Sequence, residues 1–292
     1  MLTRRQFLAR SALIGGAAWL ATRATGGLLA ATTAGKPLGI QLYMVRDAYN
    51  RDPAETLNTL KAIGYTEIEA FFETTSPKDM RAQLAQAGLA CPSMHFDSLG
   101  VDGGIKAAHI LGAQYFVSSM LPSFMAKQKG VKSPGYTRDD ARRTAEYANL
   151  IGERAKKEGL QYAYHNHHLE FSDVGQGETF YDVLLKETDP QLVKLELDCG
   201  WVHAGGKNPV DLFKANPGRI PLMHAKDFLP STGAGSYPGA ELGRGTVDYR
   251  PIMAAADQAG LKHCFAEQEG PFNRMSSLQA ARVDYAYLRP LR

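Results

Sequence analysis

The chain has 292 residues and a formal charge of +3, which becomes −1 once residues 1–34, with four arginines and no acids, are set aside. A near-neutral remainder is not built to attract a polyanion, which argues against nucleic acid as a partner. The remaining 258 residues suffice for one barrel-sized domain with a large core.

In chain order, Thr3-Arg4-Arg5-Gln6-Phe7-Leu8 and the apolar run from Ser11 to Ala31 have the layout of an export signal with a twin-arginine n-region. Arg23 interrupts the run and Gly15, Gly16, Gly26 and Gly27 weaken it as a helix, so it does not read as a transmembrane span. Small residues from Ala30 to Ala34 suit a peptidase. The expectation is a removed signal over 1–34 and a single domain over 35–292. The twin-arginine export machinery would deliver that domain to the periplasm with no stable membrane insertion after processing. That route carries folded proteins, which would let a metal be loaded before export.

From Lys36 onward short apolar runs alternate with amphipathic stretches, the pattern of βα units around a parallel sheet. Eight strands are predicted: Leu38 to Met44, Glu67 to Phe71, Ala90 to His95, Gln114 to Ser118, Gln161 to His165, Val193 to Asp198, Ile220 to His224 and His263 to Glu267. Eight units in this length predict an α/β fold, a single-domain (β/α)8 TIM barrel. Asp52-Pro53-Ala54-Glu55, Ser76-Pro77-Lys78-Asp79 and Asn208-Pro209-Val210-Asp211 each supply an N-cap, a proline at the first helical position and an acid in the first turn. The longest helix, about Arg138 to Glu158, places Ala141, Ala145, Ala148, Ile151 and Ala155 on one stripe. Longer connections, Leu121 to Tyr136 and Leu229 to Gly245, follow the fourth and seventh strands on what would be the catalytic face. Cys91, Cys199 and Cys264 lie in or beside apolar strand-like runs and read as buried thiols, with one disulfide as the alternative.

Chemistry concentrates at the ends of these strands. Tyr164-His165-Asn166-His167-His168-Leu169-Glu170-Phe171 puts three imidazoles and a carboxylate in one short stretch. Strand alternation turns Ala163, His165 and His167 one way and Tyr162 and Tyr164 the other. The third strand ends in His95, the sixth runs through Glu196 and Asp198 to Trp201, the seventh through His224 to Lys226 and Asp227, and the eighth through Glu267 to Glu269. Burying so many ionisable groups separately would cost several kcal/mol each, so shared partners or a cation are expected. Glu69 and His95 could bind ligand hydroxyls or make structural hydrogen bonds, and Trp201 could stack on a ligand ring or pack the pocket. Lys226 beside Asp227 fits a surface ion pair, although alternation from His224 points it inward. His109, His168 and His203 read as ordinary hydrogen-bonding histidines.

Gly39-Ile40-Gln41-Leu42-Tyr43 with Val45-Arg46-Asp47, the stretch from Tyr164 to Phe171, Asp198-Cys199-Gly200-Trp201, His224-Ala225-Lys226-Asp227 and Glu267-Gln268-Glu269 together resemble the sugar phosphate isomerase/epimerase family, the xylose isomerase-like TIM barrels. The likeness covers nearly all of residues 36 to 290. It implies one divalent cation, manganese foremost with zinc, iron or cobalt as alternatives, held by side chains at the ends of strands five to eight. Asp198, His224 and Glu267 match three of the four ligand positions. At the fifth strand, where better-known members carry a glutamate, this chain offers His165, with Glu170 as the rival reaching back from the loop. The mixed N/O set moves preference away from magnesium.

The resemblance further implies proton transfer beside a metal-polarised carbonyl, with Glu267 as one carrier and Glu170, His167 or Lys226 as its partner. That chemistry serves an isomerase or epimerase on an unphosphorylated sugar or keto-sugar, and equally a keto-glycoside lyase acting by β-elimination. Without the chemistry, the same barrel would be a sugar-binding protein. Glu69, His95, His167, Trp201 and Glu269 are the expected substrate contacts.

Overall fold

In a computed structural model, residues 36–119, 136–231, 233, 236–270, 272 and 274–292 are described. The export-signal segment and most of the connection after the fourth strand lie outside them.

Eight parallel strands close into a barrel: β1 Leu38–Gln41, β2 Glu67–Ala70, β3 Ala90–His95, β4 Tyr115–Ser119, β5 Gln161–His165, β6 Val193–Asp198, β7 Leu222–Ala225 and β8 His263–Ala266. Each strand pairs with its neighbours in sequence, and β8 closes on β1 through Leu38 opposite Cys264 and Ile40 opposite Ala266. The (β/α)8 barrel expected from the alternation of runs is the architecture found.

The period of two sorts each strand's side chains. Tyr115, Val117, Ala163, Leu222 and Phe265 meet inside the barrel as a small apolar plug. A methyl group on Gly39 would collide with the Phe265 ring, so the plug needs glycine there. Their strand neighbours Tyr162, Tyr164, Leu195, Leu197, Met223 and Ala225 face the helices and join the main core. Above the plug the inward positions turn polar, and they form the site.

The helices begin where the caps predict. Asp52 accepts from the Glu55 amide, Ser76 from Asp79 and Asn208 from Val210, each ahead of a proline. The long helix Arg138–Lys157 opens with a reciprocal Thr137–Asp140 capping box and buries the predicted alanine stripe. All three cysteines are buried free thiols, as the apolar surroundings implied.

After β7 the chain makes an antiparallel ribbon, Asp227–Phe228 against Gly239–Ala240. Asp227 governs this turn. Its buried carboxylate accepts from the backbone amides of Phe228 and Val247 through Oδ1 and of Gly243 and Gly245 through Oδ2, at 2.9 to 3.1 Å. The surface ion pair with Lys226 is therefore not formed. Lys226 is 1% exposed and points into the barrel.

Candidate active site

The register places the polar inward residues side by side at the C-terminal mouth. His165 on β5 lies opposite Glu196 on β6, and Asp198 opposite His224 on β7. Glu69 at the end of β2 accepts from Gln41 Nε2 at 2.9 Å and Ser93 Oγ at 2.5 Å, and lies 2.5 Å from His224 Nε2. Glu196 Oε2 is 2.9 Å from His95 Nε2, 3.0 Å from His165 Nδ1 and 3.2 Å from His224 Nε2. On its other edge the His224 ring puts Nδ1 2.7 Å from Glu267 Oε2.

A second shelf lies toward the opening. Lys226 Nζ is 3.0 Å from Asp198 Oδ2 and 3.1 Å from each of Glu267 Oε2 and Glu269 Oε1, and it sits 5.0 Å over the Trp201 ring. Asp198 Oδ1 accepts the Trp201 amide at 2.9 Å and so starts the short helix Cys199–Ala204. Gly200 lets that helix pack close, because a Cβ there would lie 2.6 Å from the Lys226 carbonyl oxygen.

The electrostatics follow from burial and crowding. Burial would raise Glu69, but His95 and His224 outweigh it and hold its carboxyl well below the usual range. Burial likewise opposes charge on His95 and His224. Glu69 beside the first, and Glu196, Glu69 and Glu267 around the second, overcome it and keep both imidazoles well above their ordinary value. His165 goes the other way, pushed well down by burial and by the charged His224 ring beside it. Asp198 is raised to about 6 by burial, with Lys226 opposing. Lys226 is pulled up against its own burial by Asp198, Glu267 and Glu269, and stays an ammonium.

Such a site fits a cation. Ligand atoms of His95, His165, Glu196 and His224 lie within 4.8 Å of one another, as do those of Asp198, His224 and Glu267. The two sets share His224. Glu196 Oε1 is buried with no hydrogen-bond partner. Asp198 Oδ2 faces the Lys226 ammonium without hydrogen-bond alignment. Buried lone pairs left open in this way suit a metal, and a neutral imidazole among carboxylates suits zinc, manganese or iron.

Glu69, His95, His165, Asp198, His224, Lys226, Glu267 and Glu269, all singled out in the sequence, are thus brought together. His167 and Trp201 stand at the rim, with ring centroids 5.8 Å apart and His167 5.1 Å from His165. Glu170 is elsewhere. The chain turns through the 3-10 segment Leu169–Phe171 and carries it behind β5, where it accepts from Tyr164 Oη at 2.9 Å and the His167 amide at 3.1 Å. It anchors the histidine loop, and its hydrogen bonds go to Tyr164 and His167 rather than to either ligand set.

Burial raises Glu170 to about 7 from an ordinary 4.5. Because the folded state holds this proton more tightly, the stability it contributes is complete at low pH and is lost as pH rises from 4.5 through 7, about 3 kcal/mol in all. Glu170→Gln mimics the protonated acid, donating to Tyr164 and accepting from His167. Urea titrations from pH 4 to 8 should show the variant gaining stability over wild type as pH rises. Parallel curves would remove this assignment.

Glu196, whose Oε2 lies among His95, His165 and His224, was given no role from the sequence, although its place two residues before Asp198 puts it on the same face of β6. His168, read as ordinary, packs 5.0 Å from Trp201 and 4.8 Å from Tyr237, so it too belongs to the rim.

The sequence profile described as xylose isomerase-like TIM barrel matches residues 57–289. The chain belongs to the xylose isomerase-like TIM barrel family. A sugar phosphate isomerase/epimerase from Parabacteroides distasonis superposes with a TM-score of 0.70 at 26% identity, covering 89% of this chain and 95% of that one. An inosose dehydratase from Lacticaseibacillus casei is 27% identical over 171 residues, 52% of this chain and 56% of the dehydratase, so the match spans little more than half the relative's length. The zinc-bound IOLI protein shares this family fold with a TM-score of 0.67 at 15% identity, covering 87% of this chain and 97% of that one.

Proposed function

We propose that this xylose isomerase-like barrel is a metal-dependent enzyme that moves a proton next to the carbonyl of an unphosphorylated sugar or keto-sugar. The observation that carries the reading is the convergence of Glu196, Asp198, His165, His224 and Glu267 at the barrel mouth, with Lys226 charged among Asp198, Glu267 and Glu269. Asp198, His224 and Glu267 with His165 would hold the cation, which would polarise the carbonyl and stabilise charge developing on its oxygen. The Lys226 ammonium would donate to that oxygen by exchanging one of its three carboxylate partners. His167, whose Nδ1 is buried without a partner, takes the role of proton carrier opposite Glu267. Glu170 serves by holding the His167 backbone.

Between the outcomes open to such a site, the relatedness to inosose dehydratases favours elimination of a group β to the carbonyl over simple isomerisation. Both begin with the same proton abstraction. The test is solvent deuterium incorporation into a panel of ketoses and keto-glycosides by manganese- or zinc-replete protein, with ultraviolet absorbance reporting any enone formed. Exchange with one member and enone from it would support elimination. No exchange with any would remove the reading.

Metal content separates the two candidates for the β5 ligand. His165→Ala is expected to lower bound metal by about tenfold or more after dialysis, while Glu170→Ala keeps it near wild type, as measured by atomic emission. Retention by the first and loss by the second would reverse the assignment. We also propose that residues 1–34 route the protein to the periplasm. Exchanging Arg4 and Arg5 for lysine should then leave it in the cytoplasmic fraction, and unchanged fractionation would exclude the twin-arginine route.

A further inference from the structure

Beside the rim of the site lies a cavity of about 380 Å³, formed where the segments following β7 and β8 meet. Tyr237 is the wall it shares with the site. One side of that ring meets Trp201 at 5.6 Å and His168 at 4.8 Å. Tyr237 also lines the cavity together with Phe272 and Gln268. Gln268 stands between Glu267 and Glu269, which both reach Lys226 Nζ, while its own side chain lines the cavity. It is 2% exposed, and its Oε1 has no hydrogen-bond partner. On the site side of Tyr237, Trp201 Nε1 is likewise buried and unpartnered. An unpaired buried polar atom costs about 1–3 kcal/mol, which marks a position where a partner arrives with a ligand.

We propose that this cavity is a second carbohydrate subsite, taking the neighbouring ring of a neutral glycoside whose reacting ring sits at the metal-ligand cluster. The inference rests on the sugar reading of the main site and narrows it to substrates of at least two rings. Two aromatic faces, Tyr237 and Phe272, suit the apolar C–H face of a pyranose, and the Gln268 amide suits its hydroxyls. The volume lies within the range of pockets that enclose small molecules. The buried acid on the lining, Glu241, is already paired with Arg244 at 3.3 Å, so it does not demand a cationic ligand. Arg274 also lines the cavity, which makes a phosphorylated ring the competing occupant.

Calorimetric titration of the metal-replete full chain with glucose, maltose, cellobiose and glucose 6-phosphate decides between them, with Gln268→Leu and Phe272→Ala titrated in parallel. At least one disaccharide is expected to bind about tenfold more tightly than glucose, and the gap to shrink to about threefold or less in both variants while glucose affinity holds. Equal binding of glucose and both disaccharides, no binding by either disaccharide, or preferential binding of glucose 6-phosphate would overturn the proposal. Gln268→Leu preserves volume, so it carries the test if melting curves show Phe272→Ala to be unfolded. Because binding is read without turnover, a disaccharide gap without proton exchange would sink the proton-transfer reading and leave the subsite. Exchange with free ketoses and no gap would do the reverse.

Discussion

His224→Ala is expected to strip the protein of bound metal and to cut kcat/KM by about 10³-fold or more, equivalent to several kcal/mol of lost charge stabilisation. No other side chain belongs to both ligand sets among the described residues. Its two ring nitrogens reach Glu69 at 2.5 Å and Glu267 at 2.7 Å, so one substitution leaves carboxylates on both sides without their partner. His224→Gln keeps part of the hydrogen bonding but not the imidazole pair, and should recover folding without recovering metal. Metal analysis and steady-state rates on the same preparations check this. A His224→Ala protein that retained stoichiometric metal and more than about a tenth of wild-type activity would rule out the proposed centre.

The second large effect falls on stability. Asp227→Ala removes the acceptor of four backbone amides at once, those of Phe228, Gly243, Gly245 and Val247. Each buried amide left unpaired costs about 1–3 kcal/mol, reduced where the loop can open to water, so a loss of roughly 3–5 kcal/mol is expected. Asparagine cannot substitute, because its amide nitrogen would face two of the four donors. Chemical denaturation measures the loss directly, and a change below about 1 kcal/mol would show that the turn holds without its carboxylate.

The barrel was readable because burial on both faces leaves a strong signal. Ala90–His95, Gln161–His165 and Val193–Asp198 run over the residues expected of them. The first strand instead stops at Gln41, whose side chain accepts the Tyr43 amide and starts a 3-10 turn over Leu42–Val45. Leu42, Met44 and Val45 are buried in that turn, so hydrophobicity alone could not distinguish it from continued strand. Within the site, strand-borne residues were legible because alternation fixes their direction. The loop residue Glu170 was not, since its direction depends on the turn that follows β5 and no periodicity governs that turn. Glu196 had no assigned role for another reason: the family resemblance points to the last acid of β6, while the period of two gives the same face to the acid before it.

The apolar plug of Tyr115, Val117, Ala163, Leu222 and Phe265 has a consequence for the order of events. Below it, at the far end of the barrel, His263 and Glu67 pair at 2.9 Å as a separate polar layer. The cluster above is thus a well with a sealed floor and one mouth. Whatever binds deepest must arrive first and depart last. A metal held by His165, Asp198, His224 and Glu267 would be trapped beneath any sugar lying on Trp201 and Lys226, and chelators would then compete with the sugar for the same doorway.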